Sequence, residues 1–157
     1  MANYRSNADI LDEDMSDITD WTDADVGGES TQEAFDSKSC MRLYATGFFA
    51  SAKRTKDVGT FGDRTVFSIN IYFDTIGSMA PTTFYAYNGS YRLYVEFNSD
   101  GISINNGSDW VEIGTNLVVA DTWQEWTFDV DWTTQTVDVY LNTILVGSDA
   151  SCADAST

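Results

Sequence analysis

Between Trp123 and Leu141, in WQEWTFDVDWTTQTVDVYL, apolar and polar residues alternate with a period of two. Trp126, Phe128, Val130 and Trp132 fall on one face, and Glu125, Thr127, Asp129 and Asp131 fall on the other. That is the pattern of a strand with one buried and one solvated side. Thr133-Thr134-Gln135 reads as a polar turn, after which Val137, Val139 and Leu141 resume the apolar side. A hairpin at the centre of the core is expected here, with Glu125, Asp129 and Asp131 on its wet face.

The same period recurs along the chain. Cys40–Thr46 sets Met41, Leu43 and Ala45 against Arg42 and Tyr44, and Phe48–Lys56 follows as a further strand. Arg64–Asp74 directs Phe67, Ile69, Ile71 and Phe73 inward and Val66, Ser68, Asn70 and Tyr72 outward. Thr82–Tyr87 and Tyr91–Asn98 flank Asn88-Gly89, a dipeptide that favours tight hairpin turns because both positions tolerate positive φ. Gly101–Ile104, Asp109–Ile113 after the Asn106-Gly107 turn, Leu117–Ala120 and Ile144–Val146 after Asn142-Thr143 complete the series. Short strands at near-regular spacing without a helical period predict an all-β chain, an antiparallel sandwich or barrel. Residues 1–28 form a polar, acidic arm punctuated by Ile10, Leu11, Ile18 and Trp21; residues 29–147 are the body; residues 148–157, rich in Ser, Ala and Asp, read as a polar tail.

Composition narrows the function classes. With 157 residues and 43% hydrophobic content the chain is long enough to bury a core. Its net charge of −17 repels phosphate backbones, so nucleic acid is not an expected partner. No apolar run is long enough to span a membrane as a helix, and the N-terminus lacks the basic and apolar regions of a secretory signal, so none is expected. The chain has no histidine, which removes Ser-His-Asp and Cys-His catalysis and imidazole-based zinc sites. Cys40 and Cys152 allow one intrachain pairing, which would stabilise by about 4–5 kcal/mol in the chain-entropy model, or they are two separate thiols. Asp12, Asp14, Ser16 and Asp17 are spaced like the start of a calcium loop, but Asp17 stands where its glycine is required and Asp23 where its glutamate is.

The segments Met41–Gly47, RTVFSINIYFD, YRLYVEFNSDGISI and WQEWTFDVDWTTQTVDVYLN resemble, in sequence and in order, the concanavalin A-like lectin/glucanase jelly rolls, including laminin-G-like domains. The resemblance covers roughly residues 30–147 and implies an antiparallel β-sandwich of jelly-roll type. Members of that family usually end with a further strand returning beside the N-terminal one. Here the residues after Val146 lack the apolar alternation for such a strand, so an open sheet edge is expected.

Three function classes follow. Sandwiches of this resemblance occur on phage virions as decoration or fibre-associated proteins, folded in the host cytoplasm and released by lysis. The first expectation is therefore a non-catalytic assembly or surface module, homo-oligomeric through its arm or open edge, on a virion or extracellular surface. The second is a lectin-like module. Sugars stack on exposed aromatics and are oriented by polar groups, and the residues expected to do so are Tyr85, Tyr87, Asn88, Asn106, Asp109 and Trp110, with Tyr72, Tyr94 and Asn105 as further candidates. Each has a plain structural alternative, since tyrosines are common on strands and asparagines in turns. The resemblance also admits a calcium ion at the sandwich rim, although no acidic loop has a diagnostic spacing; no other cofactor is expected. The third is glycan hydrolysis by strand carboxylates. Asp129 and Asp131 would lie about 7 Å apart, within the range of glycosidase pairs. The Glu-x-Asp-x-Glu strand of the jelly-roll glucanases is not matched, because Thr127 and Asp129 interrupt it in Glu125-x-x-x-Asp129-x-Asp131.

Overall fold

The computed structural model describes residues 9–11, 22–23, 28–35, 38–45, 54–55, 61–73, 82–88, 91–99 and 101–154. They contain β1 (Asp9–Leu11), β2 (Thr22–Asp23), β3 (Gly28–Phe35), β4 (Lys38–Ala45), β5 (Arg54–Thr55), β6 (Arg64–Tyr72) and β7 (Thr82–Asn88). These are followed by β8 (Tyr91–Phe97), β9 (Gly101–Asn105), β10 (Trp110–Thr115), β11 (Trp123–Asp131), β12 (Thr136–Leu141), β13 (Ile144–Ser151) and β14 (Ala153–Asp154). No helix occurs among the described residues, and so none that is long and apolar enough to cross a membrane.

The chain divides into two compact units, residues 1–12 with 60–157, and residues 13–59. The boundary drawn at residue 28 from composition falls inside the second of these. That unit contains the antiparallel hairpin β3–β4, in register from Gly28↔Ala45 to Phe35↔Lys38, and the short pair β2–β5. Its strand β3, GESTQEAF, has no apolar alternation and is not visible in the pattern. The expected strand Phe48–Lys56 lies outside the described residues except at 54 and 55.

The larger unit is a β-sandwich. One sheet runs β6-β11-β12-β13, all antiparallel, with β1 added in parallel along β6. The other runs β7-β8-β9-β10, also antiparallel. The chain forms β6, crosses to build the whole second sheet as a meander, and returns to place β11 beside β6.

The inward faces are those the alternation predicts. Trp126, Phe128, Val130, Val137 and Val139 from one sheet meet Leu93, Val95, Phe97, Ile102 and Ile104 from the other, and all are fully buried. Phe97 packs edge-to-face on Trp126 at 5.3 Å, and Phe84 stacks on Phe128 at 5.6 Å. Each such ring removed from water contributes about 1.5–3 kcal/mol, so the two-sheet contact is the main source of cohesion. Trp132 closes one end, its indole N–H donating to the Thr65 hydroxyl at 2.9 Å while Phe61 stacks on its ring.

Two expectations are corrected. The polar face of β11 is not wet: Thr127, Asp129 and Asp131 are all buried, beside Val66 and Tyr140 on the same side. Alternation separates apolar from polar faces, but it does not say whether the polar one meets water. Here Ser68 and Thr127 bond through their hydroxyls at 2.8 Å, and Asp131 takes the Arg64 Nε–H at 3.2 Å. Secondly, the strand expected to stop at Val146 continues to Ser151, inside what composition marks as a tail, and β14 then crosses to pair with β8 (Ala153↔Arg92, Asp154↔Tyr91). That side of β8 is vacated where β9 turns away, and the last strand closes it. The apolar alternation looked for after Val146 is missing because this segment is held by backbone pairing. Its bulge is pinned by Asp149 N–H donating to Asp138 Oδ1 at 2.8 Å, and among the described residues beyond Val146 the apolar anchors are Ala150 and Cys152. Cys152 is a buried thiol.

Candidate functional site

The outward face of the second sheet gathers the aromatic residues. On β8, burial of Leu93, Val95 and Phe97 forces Arg92, Tyr94 and Glu96 to the opposite side. The β7–β8 register sets Tyr85 against Tyr94 and Tyr87 against Arg92. On the other flank Glu96 pairs with Ser103, so Asn105, two residues on, shares the same face, and Trp110 pairs with Asn105. Four rings thus form an unbroken file across three strands. Tyr87 lies 5.7 Å from Tyr85, Tyr85 5.8 Å from Tyr94, and Tyr94 4.9 Å from Trp110, each contact edge-to-face. The Arg92 guanidinium sits 5.5 Å from the centroid of Tyr94, a cation–π distance that supports the central ring.

The ends of the file are the most open. Tyr87 is 52% exposed and Trp110 41%, while Tyr85 and Tyr94 are half-buried. Edge-to-face packing holds each ring against its neighbour, so the file presents a fixed surface of alternating ring faces and edges. Thr83, Glu96, Ser103 and Glu112 continue the same side of the sheet as a polar margin.

Of the residues expected to bind sugar, Tyr85, Tyr87 and Trp110 are brought together, and the further candidate Tyr94 joins them. Asn105 and Asn106 do turn work instead, and Asn88 ties the end of β7 to the segment before β6. Asn88 donates through Nδ2 to the Gly62 carbonyl at 3.2 Å. Asn106 Oδ1 accepts the N–H groups of Ser108 and Asp109 at 3.0 and 2.9 Å, and its own N–H reaches the Asp109 carbonyl, closing a four-residue loop between Asn105 and Trp110. Asn105 Oδ1 accepts the Gly107 N–H, and Gly107 takes a positive φ of 97°. Asp109 is exposed beside Trp110. Tyr72 belongs to the first sheet, against Trp123 at 5.6 Å, with its hydroxyl on Asp121 Oδ1 at 3.2 Å. Arg92 carries no binding signal of its own in the sequence, but its position between Tyr91 and Leu93 in an alternating strand puts it on the face of Tyr94.

The strand carboxylates are placed differently from a hydrolase pair. Asp131 Oδ1 accepts the Thr133 and Thr134 N–H groups at 3.0 and 3.1 Å, which builds the turn into β12. Burial of Asp131 opposes its ionisation, but the backbone N–H groups of Thr134 and Thr133, the Arg64 guanidinium and the Thr134 hydroxyl outweigh it and hold the carboxyl below its usual range. A general acid needs the opposite shift. Among the described residues no group of three or more His, Cys, Asp or Glu side chains is arranged to hold a metal ion. The acidic run Asp12–Asp17 lies outside them.

No family model matches this chain, and no curated protein or solved structure does either.

Proposed function

We propose that this β-sandwich is a non-catalytic surface-binding module, and that the file Tyr87–Tyr85–Tyr94–Trp110 takes a neutral glycan by stacking. One observation carries the reading: four aromatic rings in mutual contact lie on a sheet face whose two end rings are open to water. A sugar ring has an apolar C–H face that rests on such a ring and hydroxyls that reach polar neighbours, here Arg92, Asn105 and Ser103. The net charge of −17 disfavours anionic polysaccharides and leaves neutral ones as the matching class.

The test is binding of the purified chain to a panel of neutral polysaccharides by affinity electrophoresis, with and without calcium, followed by calorimetry on any hit. Trp110→Ala or Tyr85→Ala is expected to weaken binding about tenfold, or ~1.4 kcal/mol. Val119→Ala, at an exposed apolar residue outside the file, is expected to leave binding unchanged. No binding across the panel, or equal binding by all three variants, refutes the reading.

A second reading, assembly, is favoured by β1. A segment of the acidic arm adds itself as a parallel strand to the free side of β6 (Asp9↔Thr65, Ile10↔Val66, Leu11↔Phe67). An arm that augments its own sheet can augment a neighbour's by the same backbone bonds. The resemblance to jelly-roll domains of phage virions, with the homo-oligomer and the virion or extracellular surface it implies, belongs to this reading. Light scattering of the full chain and of a variant lacking residues 1–28 tests it. An oligomer that dissociates on deletion supports it, and an oligomer unaffected by deletion refutes assembly through the arm.

A further inference from the structure

Arg92 completes a square on the outward face of the second sheet. The β7–β8 register pairs Tyr85 with Tyr94 and Tyr87 with Arg92, so three tyrosines and one arginine occupy adjacent positions on two neighbouring strands. Folding leaves this guanidinium unclaimed. In a chain with 25 acidic residues, no carboxylate among the described residues pairs with it. The nearest acid along the same face of β8, Glu96, accepts instead from Asn98 Nδ2 at 3.0 Å. Arg92 Nε is buried without a hydrogen-bond partner. A donor left so costs free energy that the folded chain does not recover internally, and an acceptor brought by a ligand would recover it.

Arg92 also differs in kind from the other polar groups beside the rings. A guanidinium donates through N–H groups set in a rigid fork and accepts nothing. The Ser103 hydroxyl both donates and accepts, so it suits a sugar hydroxyl in either sense. Asn105 Oδ1 already takes the Gly107 N–H at 2.9 Å. A group that only donates is satisfied only by acceptor oxygens, and its fork is best satisfied by two of them side by side. On a neutral sugar, that is a pair of adjacent hydroxyls. A carboxylate would suit the fork as well, but it would approach against a net charge of −17.

We infer, on the glycan reading above, that Arg92 is the specificity-determining residue of the site, binding two adjacent hydroxyl oxygens of the sugar unit that stacks on Tyr87. Stacking uses the C–H face of a sugar and tolerates changes in hydroxyl configuration; a rigid fork does not. The rings therefore supply affinity, and Arg92 selects among neutral polymers. The Tyr94 ring, 5.5 Å from the guanidinium, holds the group before a ligand arrives, so less side-chain freedom is lost on binding.

The experiment is calorimetry of the full chain and its variants on the neutral polysaccharides, with one uronic-acid polymer added. Arg92→Met keeps an unbranched side chain and removes every donor. It is expected to weaken binding of the polymer preferred by the wild type about tenfold, the size of a hydrogen bond to a charged donor. The preference among polymers should flatten with it, at an unchanged thermal midpoint. Arg92→Gln also lacks the fork and gives the same readout should Arg92→Met fail to fold. Arg92→Lys keeps the charge without the fork and is expected to recover only part of the loss. Because the acceptors are neutral, wild-type affinity should change less than about twofold between about 0.05 and about 0.5 M salt. Unchanged affinity and preference in Arg92→Met, full recovery by Arg92→Lys, or salt-weakened binding that favours the uronic-acid polymer overturns this role and leaves the stacking file in place. A wild type that binds none of the polymers removes the glycan reading and this role together.

Discussion

Replacing Asp131 by Asn tests whether this carboxylate is a structural anchor of the central hairpin. Its Oδ1 holds two backbone N–H groups of the β11–β12 turn and its Oδ2 holds Arg64. Asparagine keeps a neutral oxygen for the turn and loses the charge. Hydrogen bonds to a charged acceptor contribute roughly 1.5–3 kcal/mol each against 0.5–1.5 for neutral ones, so the two turn bonds together lose about 2–3 kcal/mol. Arg64 is 39% exposed, and solvent screening limits its share to less than about 1 kcal/mol. The expected cost is therefore about 3 kcal/mol near neutral pH, read as a lower urea midpoint with an unchanged slope. The pH dependence supplies the sharper check. Because the folded-state pKa is lowered from 3.8, the stabilisation is fully present above that unfolded value and is lost as pH falls through the folded one. The gap between wild type and Asp131→Asn should stay constant from neutral pH to about 5 and close as the solution is acidified below 3.8. The other carboxylates titrate in both proteins and cancel from the difference. A gap that is independent of pH, or one that widens in acid, would refute the assignment.

Two further substitutions test the backbone. Gly101 has a φ of 151°, and a Cβ there would collide with the Gly114 carbonyl oxygen of the partner strand; Gly101→Ala should cost about 3 kcal/mol by strain and overpacking, measured by urea unfolding. Asn142 and Thr143 both have positive φ, 47° and 70°, in the two-residue turn between β12 and β13. Because a β-branched residue is strained there, Thr143→Gly should stabilise by about 0.5–1 kcal/mol, and a lower melting temperature would contradict this.

Alternation reports side-chain direction well and burial poorly. The strands β6, β8, β11 and β12 have the faces their sequences indicate, because each packs one continuous apolar row against the opposite sheet. What a period of two does not encode is the environment of the other row. Val66, Asp129 and Tyr140 share a side of the first sheet that is buried, and their mixed character reads as surface. The strand β3 and the second half of β13, beyond Val146, are not legible for a related reason: edge and peripheral strands are held by backbone bonds, which leave little hydrophobic signature. The aromatic file was partly visible. Tyr85 and Tyr87 are two residues apart, so they share a face, but Tyr94 and Trp110 meet across β9 only because the Asn106 loop has four residues and sets that register. Asn105 and Asn106 suit a sugar site by their chemistry and serve the loop by their geometry, since a side-chain oxygen that accepts from the following N–H groups is what a tight loop needs.

These placements bear on where a partner can be engaged. A two-layer sandwich has two outward faces, and the interior between them is filled by interdigitated rings and branched side chains. On the first sheet the outward row along β6, β11 and β12 includes Val66, Thr127, Asp129 and Tyr140, all buried. On the second sheet the corresponding row is half-open and carries Tyr85, Tyr87, Tyr94 and Trp110. Exposed aromatic residues are costly to leave in water, and four in contact on one face form a patch that solubility alone does not explain. Asp129 and Asp131 lie on the buried face of the first sheet, where Asp131 holds the turn into β12, whereas the rings lie on the more exposed face of the second. The glycan site proposed for this protein accordingly lies on the second sheet.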